Sequence, residues 1–418
     1  MPAWSSAGLI AEITRVEVVV AQQLWVGVDA GKSDHHCVVI DVDANRLFSQ
    51  RVANDESALL ELIAAVTTLA DGGEITWAID LNGGGAALLI ALLMAADQRL
   101  LYIPGRTVYH AAASYRGEGK TDAKDAAIIA DQARMRRDLQ PLRAGDDIAV
   151  ELGILTSRRT DLVADRTRAI NRLRAQLLEY FPALERAFDY SKSQAALILL
   201  TGYQTPAGLR RAGTARLAAW LRKRKARNAD TIAARALQAA NAQHSIVPGQ
   251  QLAATVVARL AKEVIDLDTE IAETETMIED RFRRHRHAEI ILSMSGFGVT
   301  LGAEFIAATG GDLGVFASVD RLAGVAGLAP VPRDSGRING NLKRPRRYDR
   351  RLLRACYLSA LASIRTDPAS RTYYDRKRAE GKRHTQAVLA LARRRLNVLW
   401  AMLRDHAIYQ PTITTVAA

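Results

Sequence analysis

Cysteine is nearly absent: Cys37 and Cys356 are the only two in 418 residues. They cannot build a disulfide framework or a thiolate metal site, and a reducing cytoplasm fits them. Long apolar runs are missing as well. Residues 18–20 are far too short for a bilayer and residues 86–96 have the length of a buried helix, so no membrane partner is expected. The opening Met-Pro-Ala-Trp-Ser-Ser lacks the basic start and apolar stretch of a signal peptide. No Gly-Lys-Ser or Gly-Lys-Thr follows Gly83-Gly84-Gly85 at phosphate-loop spacing, so that run reads as a turn opening a helix. Acidic residues are the minority, 45 against 57 Lys and Arg, leaving a net charge of +12.

That excess of cations is unevenly spread. Residues 333–351 hold Arg333, Arg337, Lys343, Arg344, Arg346, Arg347, Arg350 and Arg351 against only Asp334 and Asp349. Clustering of this kind points to a polyanionic partner, nucleic acid above all. The length predicts two or three domains.

Alternation of apolar and polar residues predicts strands at 24–28, 37–42 and 47–52, joined by short turns as an antiparallel meander. Residues 56–69 have helical spacing. A fourth strand follows at 75–79 and a fifth at 100–103. Thr121 reads as the N-cap of a helix from Asp122 to about Arg136. A meander followed by alternating helices and strands predicts an α/β domain on a mixed sheet over 24–146, after an extension at 1–23.

From 147 to 287 the pattern becomes helical. Ile148, Leu152, Leu155, Leu162, Ile170, Leu173, Leu177 and Tyr180 form one stripe, broken at Arg159 and Arg166. Val257, Leu260, Val264, Leu267, Ile271 and Ile278 form another, with Thr274 in the gap. Each predicts a long coiled-coil-like helix, serving either a hairpin within the chain or a contact between subunits. Residues 217–228 are very basic, which fits either a second nucleic-acid surface or a solvated helix face. His35-His36 and the run 283–287 have no partners at ligand spacing and read as surface residues.

The last region, 288–405 with a tail at 406–418, is predicted to be helical. Ser293-Met294-Ser295-Gly296-Phe297-Gly298 is a glycine-bracketed turn between helices. It is either a helix–hairpin–helix, which presents backbone N–H groups to phosphates, or a plain turn. Helices are also expected at 319–324, 348–364 and 384–404. Between the first two lies Arg333-Asp334-Ser335-Gly336-Arg337. A hydroxyl among cations suits a nucleophile that attacks a phosphodiester.

Four acids complete the set. Asp29 closes the first strand and Asp80 the fourth, while Asp122 and Asp125 share a face at a helix start. Strands one and four of a mixed sheet can end side by side, and the following helix can bring two more carboxylates over that edge. Such a group repels itself unless hard divalent ions, above all Mg²⁺, occupy it. Two such ions about 3.5–4 Å apart can promote phosphoryl transfer. The order of the acids fits a ribonuclease-H-like arrangement.

At these residues the chain resembles the IS110-type transposases. The resemblance rests on Val-Gly-Val-Asp29-Ala-Gly-Lys, Ala-Ile-Asp80 and Gly-Lys120-Thr121-Asp122-Ala-Lys-Asp125. In the carboxyl half it rests on Ile-Leu-Ser-Met-Ser-Gly-Phe-Gly, Gly327-Leu328-Ala329-Pro330 and Asp334-Ser335-Gly336-Arg337, and it spans roughly 24–405. It implies an α/β plus all-α architecture: a RuvC-like domain, a coiled-coil-like helical region and a helical transposase domain. It implies a recombinase that moves its own insertion element, with Asp29, Asp80, Asp122 and Asp125 as the acidic, metal-holding set and Ser335 as the nucleophile. It also implies double-stranded donor and target DNA, a structured bridge RNA that selects sites, and a homotetramer with active sites shared between subunits. Lys120, Arg333, Arg337, Lys343, Arg344, Arg346 and Arg347 are the expected nucleic-acid contacts, and the expected setting is the cytoplasm, at the nucleoid. The chain departs from the family at Asp80, where glutamate is usual, and at Ser295, where proline is common. A metal-dependent nuclease or junction resolvase, and a non-catalytic binding scaffold, are the competing expectations.

Overall fold

The structure, a computed structural model, describes residues 23–81, 83–115, 119, 121–142, 146–337, 339–343 and 345–410. The chain forms two compact units, residues 1–144 and 145–418.

The first unit is built on one mixed sheet. Strands β1 (Leu24–Ala30), β2 (Asp34–Ile40) and β3 (Arg46–Ala53) form the antiparallel meander. Helix α1 (Glu56–Ala70) leads to β4 (Ile75–Ile79), which lies parallel to β1. Helix α2 (Ala87–Ala95) leads to β5 (Arg99–Tyr102), parallel to β4. Helices α3 (Gly105–Ala112) and α4 (Asp122–Met135) precede a two-residue strand, β6 (Gln140–Pro141). The sheet order is β3-β2-β1-β4-β5-β6. The pattern reading missed α3 and β6, both too short to show a period.

Both faces of the sheet are covered. Val26, Val28, Cys37, Val39, Trp77 and Ile79 pack in one core with Leu59, Leu62, Leu89 and Leu93 of α1 and α2. Trp25, Val38, Ile40, Ala78 and Leu101 pack in the other with Val108 of α3 and Ile128 and Ile129 of α4. Side chains alternate across a strand. This puts His35 on the same face as Cys37 and Val39, and it is buried, not at the surface as expected from its polarity. His36 points the other way and meets Ser49 Oγ at 3.0 Å.

The second unit is nearly all helical. Helix α5 (Asp147–Tyr180) is followed by α6 (Pro182–Ala187), α7 (Gln194–Gly202), α8 (Pro206–Lys223) and α9 (Ala229–Asn241), and α10 (Gln250–Arg284) returns along α5. The two long helices, each about 50 Å at 1.5 Å per residue, form an antiparallel hairpin within the chain. Ion pairs fix its register: Glu151 with Arg281 at 3.1 Å, Arg159 with Glu275 at 2.6 Å, and Arg166 with Asp268. The two arginines that interrupt the apolar stripe therefore have partners on the facing helix. Thr274, at the other gap, is buried and donates to the Glu270 carbonyl at 2.7 Å.

The hairpin joins two apolar cores. At one end, Leu173, Leu177, Val257 and Val264 pack with α6 to α9. At the other, Ala149, Leu152, Ile278 and Phe282 pack with the carboxyl-terminal helices. These are α11 (Ala288–Ser293), α12 (Val299–Thr309), α13 (Val319–Val325), α14 (Arg350–Thr366), α15 (Pro368–Ala379) and α16 (His384–Arg404). A small ribbon, β7 (Val331–Pro332) with β8 (Leu342–Lys343), stands between α13 and α14. His285 and His287, expected at the surface, are buried at the end of α10. His285 lies 3.3 Å from Asp146, and His287 stacks on His406. Among the described residues no helix is long and apolar enough to cross a membrane.

Candidate active site

In the first unit, parity along the strands decides which acids meet. Val28 of β1 is the register partner of Ile79 of β4. Asp29 and Asp80 are the next residues of these parallel strands, so they end side by side. Trp25 and Ala78 face α4, and every second residue shares that face, which carries Asp29 and Asp80 to the α4 side. Gly27, between them in this pattern, lets α4 sit directly on β1: a methyl group there would lie 2.1 Å from the Ala126 carbonyl oxygen. Thr121 caps α4 as expected, accepting the Lys124 N–H at 3.2 Å. The first turn of α4 thus overhangs the strand ends.

Asp29, Asp80 and Asp125 line one cleft of about 650 Å³. Asp80 is half-buried. Its Oδ1 accepts the Ala30 N–H at 3.2 Å, and burial, opposed by that bond but assisted by the Asp125 charge, lifts its pKa above the usual carboxylate range. Asp122, three residues earlier in the same first turn of α4, is exposed and is not part of the cleft wall; its charge is felt by His36 on β2. The structure thus places three of the four acids along one cleft.

Ser335 belongs to the second unit. It is exposed in the ribbon between β7 and β8, and Gly336 beside it takes the left-handed φ of 52° that suits glycine. Asn341 N donates to Asp334 Oδ1 at 3.0 Å, and Arg333 N donates to the Asn341 carbonyl at 2.9 Å, closing the loop across the serine. The loop is tied down at its base, where Asp349 N donates to the Val325 carbonyl at 2.7 Å. Arg333, Arg337, Lys343, Arg346 and Arg347, in the same segment, are all exposed. Lys120 and Arg344 lie outside the described residues.

Two regions of the chain match known family models. Residues 26–182 match the IS110 DEDD domain model described as "Transposase", and residues 288–375 match the one described as "Transposase IS116/IS110/IS902 family". The 42 kDa protein of insertion element IS900 from Mycobacterium paratuberculosis is 84% identical over 398 residues, 95% of this chain and 100% of its own. The 44.8 kDa protein of insertion element IS116 from Streptomyces clavuligerus is 51% identical over 93% of this chain and 96% of its own. The 43.6 kDa protein of IS110 from Streptomyces coelicolor is 37% identical over 93% and 95%. The chain belongs to the IS110 family of insertion-element transposases.

The cleft of this transposase contains more than carboxylates. Tyr109 and His110 of α3 and Lys124 of α4 also line it. The Tyr109 ring is 75% exposed and meets His110 edge-on at 5.6 Å, a surface on which a nucleic-acid base can stack. The available sequence signal for these residues was the interleaving of aromatics with Arg106 and Lys124. Three carboxylates on one wall have the donor chemistry for a hard divalent cation. Among the described residues, however, no three His, Cys, Asp or Glu side chains are gathered closely enough to ligate one ion.

The turn at 293–298 is a structural one on its inner side. Gly296 has a φ of 88°, and a methyl group there would meet the Ser359 carbonyl oxygen at 2.3 Å. Ser295, the departure from proline, hydrogen-bonds Thr366 through its hydroxyl at 2.7 Å.

Proposed function

We propose that this transposase cuts and rejoins DNA through a phosphoserine intermediate, with Ser335 as the nucleophile. The observation that carries the reading is the exposed hydroxyl of Ser335 in a tethered loop among Arg333, Arg337, Lys343, Arg346 and Arg347. Cations near a hydroxyl offset the charge of an approaching phosphodiester. Ser335 Oγ bonds to phosphorus and the bond from phosphorus to the 3′ oxygen breaks. The serine proton passes to a base, and the departing oxygen takes up a proton as a 3′-hydroxyl. A 3′-hydroxyl of another strand then displaces the serine, which regains its proton. The number of phosphodiester bonds is conserved, so no nucleotide hydrolysis is required.

Asp29, Asp80 and Asp125, with Asp122 from the same helix turn, are the residues that would hold Mg²⁺ once their carboxylates draw together. Mg²⁺ bound there would supply charge neutralisation at a scissile phosphate. The resemblance to the family supports two further parts of the proposal: a structured bridge RNA from the element selects donor and target sites, and the protein works as a homotetramer in the cytoplasm at the nucleoid.

Purified protein with its RNA, donor and target duplexes, and Mg²⁺ tests this. Ser335→Ala should abolish both the denaturant-stable protein–DNA adduct and strand exchange. Asp125→Asn should abolish them too, with the protein still folded. Cleavage that survives Ser335→Ala would establish the metal-dependent nuclease in place of the serine recombinase. Recombination that survives complete removal of RNA would overturn the guide role. A monomer by light scattering in the presence of both nucleic acids would overturn the tetramer.

A further inference from the structure

The basic stretch 217–228 looked uniform in sequence, but the fold divides it. Arg222 is paired with Asp230 at the start of α9. Arg224 lies over Trp220, its guanidinium carbon 3.7 Å from the ring centre. Lys225 and Arg227 line a cleft of about 590 Å³ together with Lys192, which arrives from the loop before α7. No Asp or Glu lines that cleft. Lys192 touches one acid outside it, Asp189 at 3.3 Å, and that carboxylate also accepts from Ser191.

The cleft is electropositive for reasons beyond the side-chain charges. Its floor includes Ala195 and Ile232, which are buried in the core formed by α5 to α10. Helices α7 and α9 both begin at its rim, at Ser193 and Asn228. Asn228 sits in the left-handed region at φ 53° and makes no side-chain cap, so the first-turn N–H groups of α9 keep their capacity to donate. Helix starts carry positive partial charge and favour anions. Ser193 caps α7 by accepting the Ala196 N–H at 3.3 Å, so three cations over the uncapped start of α9, without an opposing acid in the wall, form a cradle for an anion of high charge density.

We infer that this cradle grips the phosphate backbone of duplex DNA, at a site separate in sequence from both the acidic cleft and the serine loop. DNA is the occupant because the chain is a DNA transposase and the cradle's charge complements a phosphate backbone. The inference rests on that family membership and not on the chemistry of Ser335, so each can fail without the other.

The test is salt-dependent binding of the full-length protein to a fluorescent duplex of about 40 base pairs, with an RNA hairpin of similar charge as the second probe. Each phosphate contact contributes about 0.9 to the slope of log affinity against log salt. Lys225→Ala with Arg227→Ala should lower the duplex slope by about 2, and Lys192→Ala, whose ammonium is shared with Asp189, by less than about 0.9. Arg222→Ala removes the same charge from the same stretch but should leave the slope unchanged, since Arg222 is engaged with Asp230. All these positions are exposed, and unchanged melting curves would show that the fold persists. Equal slopes for all variants would overturn the inference, as would a loss equal in size for Arg222→Ala. A loss confined to the RNA hairpin would overturn the assignment to DNA.

Discussion

Asp80 Oδ1 accepts the backbone N–H of Ala30 at 3.2 Å, bonding the end of β4 to the end of β1 beside Asp29. The shorter side chain of aspartate is thereby fixed at the strand ends, where glutamate would reach further. Burial, the main cause, and the Asp125 charge together raise the Asp80 pKa. The native state then holds this proton more tightly than the unfolded chain. The contribution to stability is fully present below the unfolded carboxylate pKa and is lost as pH rises through the raised native value.

Asp80→Asn keeps an acceptor for Ala30 and removes the penalty of a buried charge. Its melting temperature should exceed that of the wild type near neutral pH in the absence of divalent ions, and the gap should close on acidification. Added Mg²⁺ should raise the wild-type melting temperature and leave Asp80→Asn unmoved. Identical wild-type and variant curves across pH would contradict the burial argument, and an equal Mg²⁺ response would remove Asp80 from the metal set.

Gly27→Ala tests how α4 is seated. The added methyl would lie 2.1 Å from the Ala126 carbonyl and 2.4 Å from Ala130 N, both backbone atoms that cannot rotate away. Helix α4 must shift by about 1 Å, carrying Asp122 and Asp125 with it. Overpacking of this kind costs about 1–3 kcal/mol, and a misplacement of about 1 Å can lower catalysis on the order of 100-fold. Thermal melting and adduct formation should both register the change. A variant with wild-type cleavage would mean that α4 carries no catalytic group.

Strand ends and helix caps were legible in the sequence because they are local. The period-two runs located β1 and β4, and Thr121 located α4, so Asp29, Asp80, Asp122 and Asp125 could all be expected at one sheet edge from the sequence. What sequence did not show was set by distant partners. Asp122 and Asp125 share a helix face, yet only Asp125 reaches the cleft wall, and Asp122 stays exposed at the very start of α4. His35 and His287 read as surface residues by polarity and neighbours, and the pleat and the packing of the last helices bury them. Arg159 and Arg166 looked like faults in a stripe until α10 supplied Glu275 and Asp268, more than a hundred positions away.

Arg395 illustrates the same limit and carries a prediction. From α16 it donates to the Ser295 carbonyl in the turn before α12, to Ser359 Oγ of α14 at 3.2 Å, and to Ser370 Oγ of α15 at 3.2 Å. Asp367 lies 3.9 Å away, and both side chains are buried. Arg395→Met should destabilise the carboxyl-terminal core by about 3–5 kcal/mol, the usual cost of leaving one partner of a buried pair alone. Adding Asp367→Asn should recover part of that loss in a denaturant series. A single variant within about 0.5 kcal/mol of wild type would mean that the helices hold the turn without Arg395.

His287 gives the second unit an acid-sensitive point. Burial, followed by the charges of His285, Arg286 and His406, pushes its pKa down to about 4. The native state therefore resists protonation that the unfolded chain accepts. The stabilisation is complete above the ordinary histidine pKa and drains away as pH falls toward 4, a window set by those two values. Between about pH 6.5 and 5 the loss from this one group is on the order of 2 kcal/mol. His287→Phe should keep the stacking on His406 while removing the proton, so its stability should fall less than that of the wild type across that window. His285, lowered by the same burial, leaves a residual slope. Parallel stability–pH curves for the two proteins would show that His287 is protonated alike in the folded and unfolded chain, and would rule out the buried, neutral imidazole.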